Sequence, residues 1–182
     1  MSKPASKSHY VGPGIAQEVV SRTLSVLVDN EPGVLARISG LFSGRGYNIE
    51  SLTVSETEHE KHLSRITIVT RGTPAVIEQI KHQLERLVPV HRVRDLTLDA
   101  DAIERELALI KVSGKGDKRI EALRIAEIFR AKVVDTSTEH FVFELTGKPS
   151  KLEQFIQIMT ELGLTEVSRT GIAAIGRGPA SL

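Results

Sequence analysis

From residue 23 the chain alternates: Leu24, Val26 and Val28 fall on one face of an extended segment, and Thr23, Ser25 and Asp29 on the other. A period of two is that of a half-buried strand. The period then changes. Val34, Leu35, Ile38, Leu41 and Phe42 recur at helical spacing after Pro32 and before Gly44 and Gly46. This predicts an amphipathic helix over residues 32–45 with the proline in its first turn. Two β-rich runs follow at 48–55 and 63–70, separated by Glu56-Thr57-Glu58-His59-Glu60-Lys61, a stretch too polar for any core and so a solvated hairpin loop. Gly72-Thr73-Pro74 opens a second helix that carries Val76, Ile77, Ile80, Leu84, Leu87 and Val88 at helical spacing, and a strand at 90–98 closes the unit.

The order β-α-β-β-α-β is the ferredoxin-like arrangement, in which two helices cover one face of a four-stranded antiparallel sheet. The other face is then free for a partner. After the acidic stretch of Asp99, Asp101 and Glu104 the cycle begins again, with a strand at 106–112, a helix at 118–131, strands at 132–136 and 141–145, a helix at 149–162 and a strand at 165–174. A local repeat supports this. Gly72-x-Pro74-x-x-x-Glu78-Gln79-Ile80 has a counterpart in Gly147-x-Pro149-x-x-x-Glu153-Gln154-Phe155, at the start of the corresponding helix. Leu152, Phe155, Ile156 and Met159 keep helical spacing, while Phe141, Phe143 and Leu145 alternate; both sets read as core rather than as a cofactor pocket. The fold class is therefore α+β, with tandem ferredoxin-like βαββαβ modules. Its expected parts are a flexible tail at 1–21, a first module at 22–98, a linker at 99–104, a second module at 105–176 and a tail at 177–182.

Composition narrows the function. A length of 182 residues suits two small modules. The 24 Lys+Arg against 23 Asp+Glu leave no broad electrostatic footprint, and aromatic residues are only 4%, so nucleic acid is not an expected partner. No apolar run approaches the roughly 20 residues of a membrane span, and the N-terminus has no apolar signal core. Cysteine is absent, which excludes a disulfide framework, a thiolate metal site and a cysteine nucleophile, and fits a reducing compartment. A cytoplasmic setting is expected.

The informative chemistry lies between the first strand and the first helix, in Asp29-Asn30-Glu31-Pro32-Gly33-Val34-Leu35. The first amides of a helix lack intrahelical acceptors and sit at the positive end of its dipole, so Gly33, Val34 and Leu35 can present N–H groups to a carboxylate. Asn30 can cap the helix or turn its amide oxygen to a ligand ammonium, two jobs that compete for one side chain. Taken alone, the same run also reads as a strand-to-helix turn with good capping chemistry.

Other signals are weaker. His59 and His62 with Glu58 and Glu60 fall in the polar loop without a second ligand pair, so no metal site is assigned. Gly114-Lys115-Gly116-Asp117-Lys118-Arg119 lacks the spacing of a nucleotide phosphate loop and reads as a helix start capped by Asp117. Arg119, Arg124 and Arg130 with Glu121 and Glu127 read as the solvated face of that helix. With no motif-borne Ser-His-Asp set, no paired carboxylates and no dinucleotide fingerprint, no catalytic residue is assigned.

The run from Leu24 to Leu52 as a whole, and Gly44-Arg-Gly-Tyr-Asn-Ile-Glu-Ser-Leu52 most specifically, strongly resembles the ACT domain of the regulatory small subunit of acetolactate (acetohydroxyacid) synthase. The resemblance extends through Leu63-Ser-Arg-Ile-Thr-Ile68, Glu78-Gln79-Ile80 with Leu84 and Leu87, Arg105-Glu106-Leu107, and Glu127-Ile-Phe-Arg130 with Val133-Val134-Asp135. It implies a non-catalytic subunit that forms a homodimer through the ACT domain and binds a branched-chain amino acid, usually valine, at that interface. Its implied partner is a large catalytic subunit that carries thiamine diphosphate, Mg2+ and FAD, with no cofactor in this chain. On the same analogy the effector carboxylate meets amides near Gly33, Val34 and Leu35. Asn30 and the neighbouring protomer's Asn48 hold its polar end, and Ile49 forms an apolar wall. Asn48 can alternatively be a left-handed turn residue after Gly46. A free-standing ACT-type amino-acid sensor acting on another protein is the alternative function. A Gly33→Asp change is expected to weaken effector binding and leave the fold intact.

Overall fold

Alternation in the first segment and 3.6-residue periodicity in the next produce the expected strand and helix, and the pattern is carried through twice. The computed structural model describes residues 18–58, 62–98 and 102–179. The order is β1 (Val20–Asp29), α1 (Val34–Gly44), β2 (Ile49–Glu58), β3 (Leu63–Gly72), α2 (Pro74–Glu85) and β4 (Val90–Asp95). It continues as β5 (Ile103–Ser113), α3 (Asp117–Phe129), β6 (Lys132–Thr136), β7 (His140–Gly147), α4 (Pro149–Leu162), β8 (Leu164–Arg169) and β9 (Ala173–Ile175). Residues 1–17 of the expected tail, His59, Glu60 and Lys61 of the hairpin loop, Asp99 and Asp101 of the acidic stretch, and residues 180–182 lie outside the described residues.

The first sheet has strand order β2-β3-β1-β4, and the second has the same order, β6-β7-β5-β8. Two ferredoxin-like modules therefore stand in tandem, as the sequence pattern predicts. Each has its own core. In the first, Leu24, Val26 and Val28 of β1 and Ile66 and Ile68 of β3 pack against Val34, Ile38 and Phe42 of α1 and Ile77, Ile80 and Leu84 of α2. In the second, Ala108, Ile110 and Val112 meet Phe141, Phe143 and Leu145 under Ala122 and Ala126 of α3 and Leu152, Phe155 and Met159 of α4. Phe155 lies between Phe129 and Phe143, with ring centroids 5.3 and 6.0 Å away. Two residues expected inside are not. Val88 is 94% exposed because α2 ends at Glu85 and leaves it in the following turn, and Leu35 is 42% exposed on the flank of α1.

The repeated Gly-x-Pro motif has a packing cause. Gly72 ends β3 and Gly147 ends β7, and in each case the next helix begins at a proline in its first turn, pre-set for that position. A Cβ on Gly72 would sit 2.9 Å from Val76 Cγ1, and one on Gly147 would sit 2.9 Å from Lys151 Cδ. At Gly72, where the obstacle is the stiff, branched Val76, the first turn folds back this closely only onto a glycine; at Gly147 the flexible Lys151 side chain is the nearest neighbour. Thr73 caps α2 by accepting from the Val76 amide at 3.4 Å.

Several boundaries differ from the expectation. β1 starts at Val20, inside the stretch assigned to the tail, and β5 starts at Ile103, inside the stretch assigned to the linker. The extra β5 residues form a ladder in which Ile103 faces Ile175 and Arg105 faces Ala173. The single strand expected at 165–174 is two strands: β8 ends at Arg169, Gly171 takes φ +84°, and β9 resumes the pairing with β5 one residue out of register. Asp117 is the first helical residue of α3 rather than its cap, because Gly116 at φ +60° occupies the capping position. Asp117 still faces the positive helix end, where a carboxylate is favourable.

The face of the first sheet opposite the helices is not free along its whole width. Thr23, Ser25, Thr67 and Val69 lie on that face and are buried. β9 contacts β1, Ala174 is itself buried, and a Cβ on Gly176 would lie 3.5 Å from the Arg94 guanidinium. Small side chains on both partners, Ser and Thr below and Ala above, let the strand lie close. Among the described residues no helix is long and apolar enough to cross a membrane.

Candidate functional site

Asn30 follows directly on β1, and its backbone is held on two sides. Its amide donates to the His62 carbonyl at 2.7 Å, and the preceding Asp29 amide donates to the Pro89 carbonyl at 2.9 Å. Asp29 also bonds His91 Nε2 through its carboxylate at 2.6 Å. The Asn30 side chain is exposed and bonds to no other described group. It does not cap α1. The helix begins at Val34, with Gly33 in the capping position at φ +88° and no side-chain capping bond. Glu31, Pro32 and Gly33 form a turn, so Pro32 lies just before the helix rather than in its first turn.

This turn decides what the helix start can offer. The Val34 amide makes only a long bond of 3.4 Å to the Glu31 carbonyl, and the Val34 side chain is buried in the core. The amides of Gly33 and Leu35 donate to no other described group. Two free N–H groups, those of Gly33 and Leu35, and the weakly held Val34 amide thus face an anion at the positive end of an 11-residue helix, with an asparagine side chain three residues upstream of Gly33. Left-handed backbone explains the glycine, since a non-glycine residue there costs about 1–2 kcal/mol. A Cβ at Gly33 would meet nothing within 4 Å. Gly33→Asp therefore strains the backbone as well as filling the site, which corrects the expectation that it would leave the fold untouched.

Asn48 and Ile49 sit at the other end of the helix. Gly46 at φ +69° reverses the chain after α1, and Tyr47 packs edge-on against Phe42 at 6.1 Å. Asn48 does not take the left-handed backbone considered for it; among the described residues the positive-φ residues other than glycine are His62 and Arg130. Its carbonyl accepts from the hydroxyl of Thr70, a fully buried side chain, at 2.6 Å. Ile49 is half-buried against the core and opposite Thr70, which in turn pairs with Arg22 near the beginning of β1. Asn30 lies past the end of β1. Seven strand residues at about 3.3 Å each put roughly 20 Å between the two groups within one chain. Asn30, Gly33, Val34 and Leu35 share one turn, whereas Asn48 and Ile49 form a second cluster that one chain does not bring to the first.

Three interaction sets were not legible from spacing. Arg169 donates to both oxygens of Glu106 at 2.8 and 2.7 Å and to Glu153 at 2.8 Å, joining β8, β5 and α4. This pairing raises the Arg169 pKa further above its usual value, chiefly through the Glu106 hydrogen bonds. Ser137 Oγ lies 2.8 Å from His140 Nδ1, and His140 Nε2 lies 2.9 Å from Asp135. That has the composition of a catalytic triad, yet Ser137 also accepts from the Glu139 and His140 amides, so its hydroxyl closes the β6–β7 turn. Arg119 joins this second set through Ser137 and is not on a solvated face: it stacks 3.8 Å from the Phe141 ring and donates to the Ser137 carbonyl at 2.7 Å. The third set, Ser51 and Thr53 with Ile172, joins the two modules. Among the described residues no three His, Asp or Glu side chains are grouped to hold a metal ion.

Comparison with known proteins accounts for this architecture. Residues 24–92 match the AHAS small subunit-like ACT domain, and residues 105–178 match the family described as the small subunit of acetolactate synthase. The chain is 48% identical to the acetolactate synthase small subunit of Aquifex aeolicus over 161 residues, covering 88% of this chain and 83% of that one. It is 45% identical to the small subunit from Mycolicibacterium smegmatis over 159 residues, covering 87% and 92%. The crystal structure of the acetolactate synthase small subunit from Thermotoga maritima superimposes with a TM-score of 0.79 at 41% identity, covering 88% of this chain and 99% of that one. With an ACT module first and the small-subunit module second, this chain belongs to the acetolactate synthase small-subunit family of regulatory subunits.

Proposed function

We propose that this chain is a non-catalytic subunit that activates a thiamine-diphosphate acetolactate synthase and makes it sensitive to valine. The catalytic subunit would supply thiamine diphosphate, Mg2+ and FAD; this chain would contribute the effector site and no cofactor. The setting is the cytoplasm, with neither membrane nor nucleic acid as a partner.

One observation carries the reading: the two polar clusters stand at opposite ends of α1, on the side of the module that ends in the edge strand β2. A second copy related by a two-fold axis, with β2 against β2, turns its helix antiparallel to the first. The start of one α1 then meets the end of the other. Two four-stranded sheets join into one of eight strands, and an exposed edge is covered. Each of two symmetric sites takes Asn30 and the amides of Gly33, Val34 and Leu35 from one chain, and Asn48 and Ile49 from the other.

The chemistry fits a zwitterion with an apolar side chain. Its carboxylate needs donors, which the helix start supplies, and its ammonium needs acceptors, which asparagine oxygens supply. Leu35 and Ile49 offer apolar surface for a branched side chain. One methylene in such a pocket is worth about 1–3 kcal/mol, so leucine and isoleucine compete to a degree. Effector binding favours one arrangement of the paired modules, and a catalytic subunit that prefers the other is inhibited; by linkage, that subunit lowers effector affinity equally.

The test is reconstitution. The purified chain, mixed with an acetolactate synthase catalytic subunit, should raise acetolactate formation from pyruvate, and valine should reduce it. A catalytic subunit unaffected by this chain, with and without valine, contradicts the proposal.

A further inference from the structure

We propose that Ser51 and Thr53 form the clamp through which effector occupancy reaches the second module; this rests on the reading above and adds the route. The effector cluster of the first module includes the residues just before and at the start of β2, and two hydroxyls further along the same strand grip one residue of the second module. The Ile172 amide donates to Ser51 Oγ at 3.0 Å, and Thr53 Oγ1 donates to the Ile172 carbonyl at 2.7 Å. Both main-chain groups of a single residue are thus satisfied by side chains two positions apart on one face of a strand.

The fit depends on Gly171. It holds φ +84°, and a Cβ there would lie 2.8 Å from Ser51 Oγ and 3.0 Å from Thr53 Cγ2. Side-chain bulk at 171 is therefore incompatible with the clamp. Gly171 also lies at the one-residue irregularity between β8 and β9, so the clamp sits just before the strap that β9 lays over the first sheet.

The strap leads directly into the second module. β9 pairs with the first residues of β5, whose Glu104 accepts from the Thr23 hydroxyl at 2.6 Å. On the β8 side of Gly171, Arg169 ties β8 to Glu106 and Glu153. A movement at Ile172 is thus passed to β5, β8 and α4 together. At the β2 end, the ladder shifts register between Ile49 and Ser51, an irregularity that lets Asn48 and Ile49 adjust without breaking the strand. A ligand that pulls on Asn48 displaces the stretch that reaches Ile172, and the second module follows.

The experiment uses the full chain with its catalytic subunit, comparing wild type, S51A/T53V and S55A; Ser55 lies on the same strand and makes no bond to Ile172. Hydrogen exchange is read at the Ile172 amide and across residues 173–175. Valine affinity of the chain alone is read by calorimetry, and valine inhibition of the reconstituted enzyme by acetolactate formation. In S51A/T53V, exchange at Ile172 should rise at least about tenfold. Valine binding to the chain alone should stay within about twofold, and the valine concentration for half-inhibition should rise by about fivefold or more. S55A should match wild type in all three. Inhibition that is unchanged in S51A/T53V, or exchange that is unchanged at Ile172, overturns the clamp while leaving the proposed function standing. A wild-type enzyme that valine does not inhibit overturns both.

Discussion

Replacing Arg169 by Met removes three charge-assisted bonds and leaves the Glu106 carboxylate, 4% exposed, without its partner. Breaking a buried pair by deleting one member costs about 3–5 kcal/mol, because the remaining charge stays desolvated. The Arg169 side chain is 35% exposed, so water screens part of that cost and the loss should be about 2–3 kcal/mol. For a chain of this size each kcal/mol lowers the melting temperature by about 2–4 °C, giving a drop of about 5–10 °C. The paired change E106L/R169M removes both charges and should return to within about 1 kcal/mol of wild type, since apolar replacement of an ion pair is commonly neutral. Urea unfolding followed by far-ultraviolet circular dichroism is the suitable assay. The chain has no Trp and its two Tyr precede the second module, so intrinsic fluorescence would miss the relevant transition. A loss below about 1 kcal/mol for R169M, or a double variant less stable than the single one, would refute the assignment of Glu106 as a buried, paired carboxylate.

Two further outcomes follow from the packing and the charges. G72A forces a methyl to within 2.9 Å of Val76 Cγ1 and should cost about 1–3 kcal/mol in thermal unfolding, whereas G40A, whose Cβ meets nothing within 4 Å, should not destabilise. The hydrogen bond from His140, with the charge of that ring, holds the Asp135 carboxyl below the usual carboxylate range. A lowered folded value favours the folded state above the unfolded pKa, and the contribution disappears as pH falls through the folded value. A carboxyl-carbon NMR titration should show Asp135 returning toward the ordinary value in H140A, and an unchanged titration would contradict the contact.

Most of the architecture is readable from hydrophobic period because each element buries one face: β1, α1, α2 and α4 carry their apolar residues at 2 or 3.6 spacing. What period cannot show is a polar face that is nonetheless covered. Thr23, Ser25 and Thr67 alternate with apolar neighbours as solvent-facing residues do, yet they lie buried because a strand of alanines approaches from far along the chain. The break between β8 and β9 has a sequence signal in Gly171, but a glycine between polar and apolar residues reads equally as a strand irregularity until its positive φ is known. The same holds for the helix start, where Gly33 in left-handed backbone displaces Asn30 from the cap and delays the helix past Pro32. The candidate effector residues were legible as chemistry, one turn at a time. Their placement at opposite ends of α1 already follows from the helix predicted at 32–45, whereas the Ile172 clamp, which joins residues more than a hundred positions apart, emerges only from the path of the chain.

The claim that the effector site is shared between two chains has a direct test. N30A and N48A should each abolish measurable valine binding in calorimetry. Refolding equal amounts of the two together yields mixed dimers, each with one site intact and one doubly altered, so about a quarter of the wild-type number of sites should reappear. Saturable binding of valine at that stoichiometry, absent from either variant alone and from a lysine control, is the predicted result. Mixed material that binds no valine, or single variants that bind it as the wild type does, would contradict the shared site.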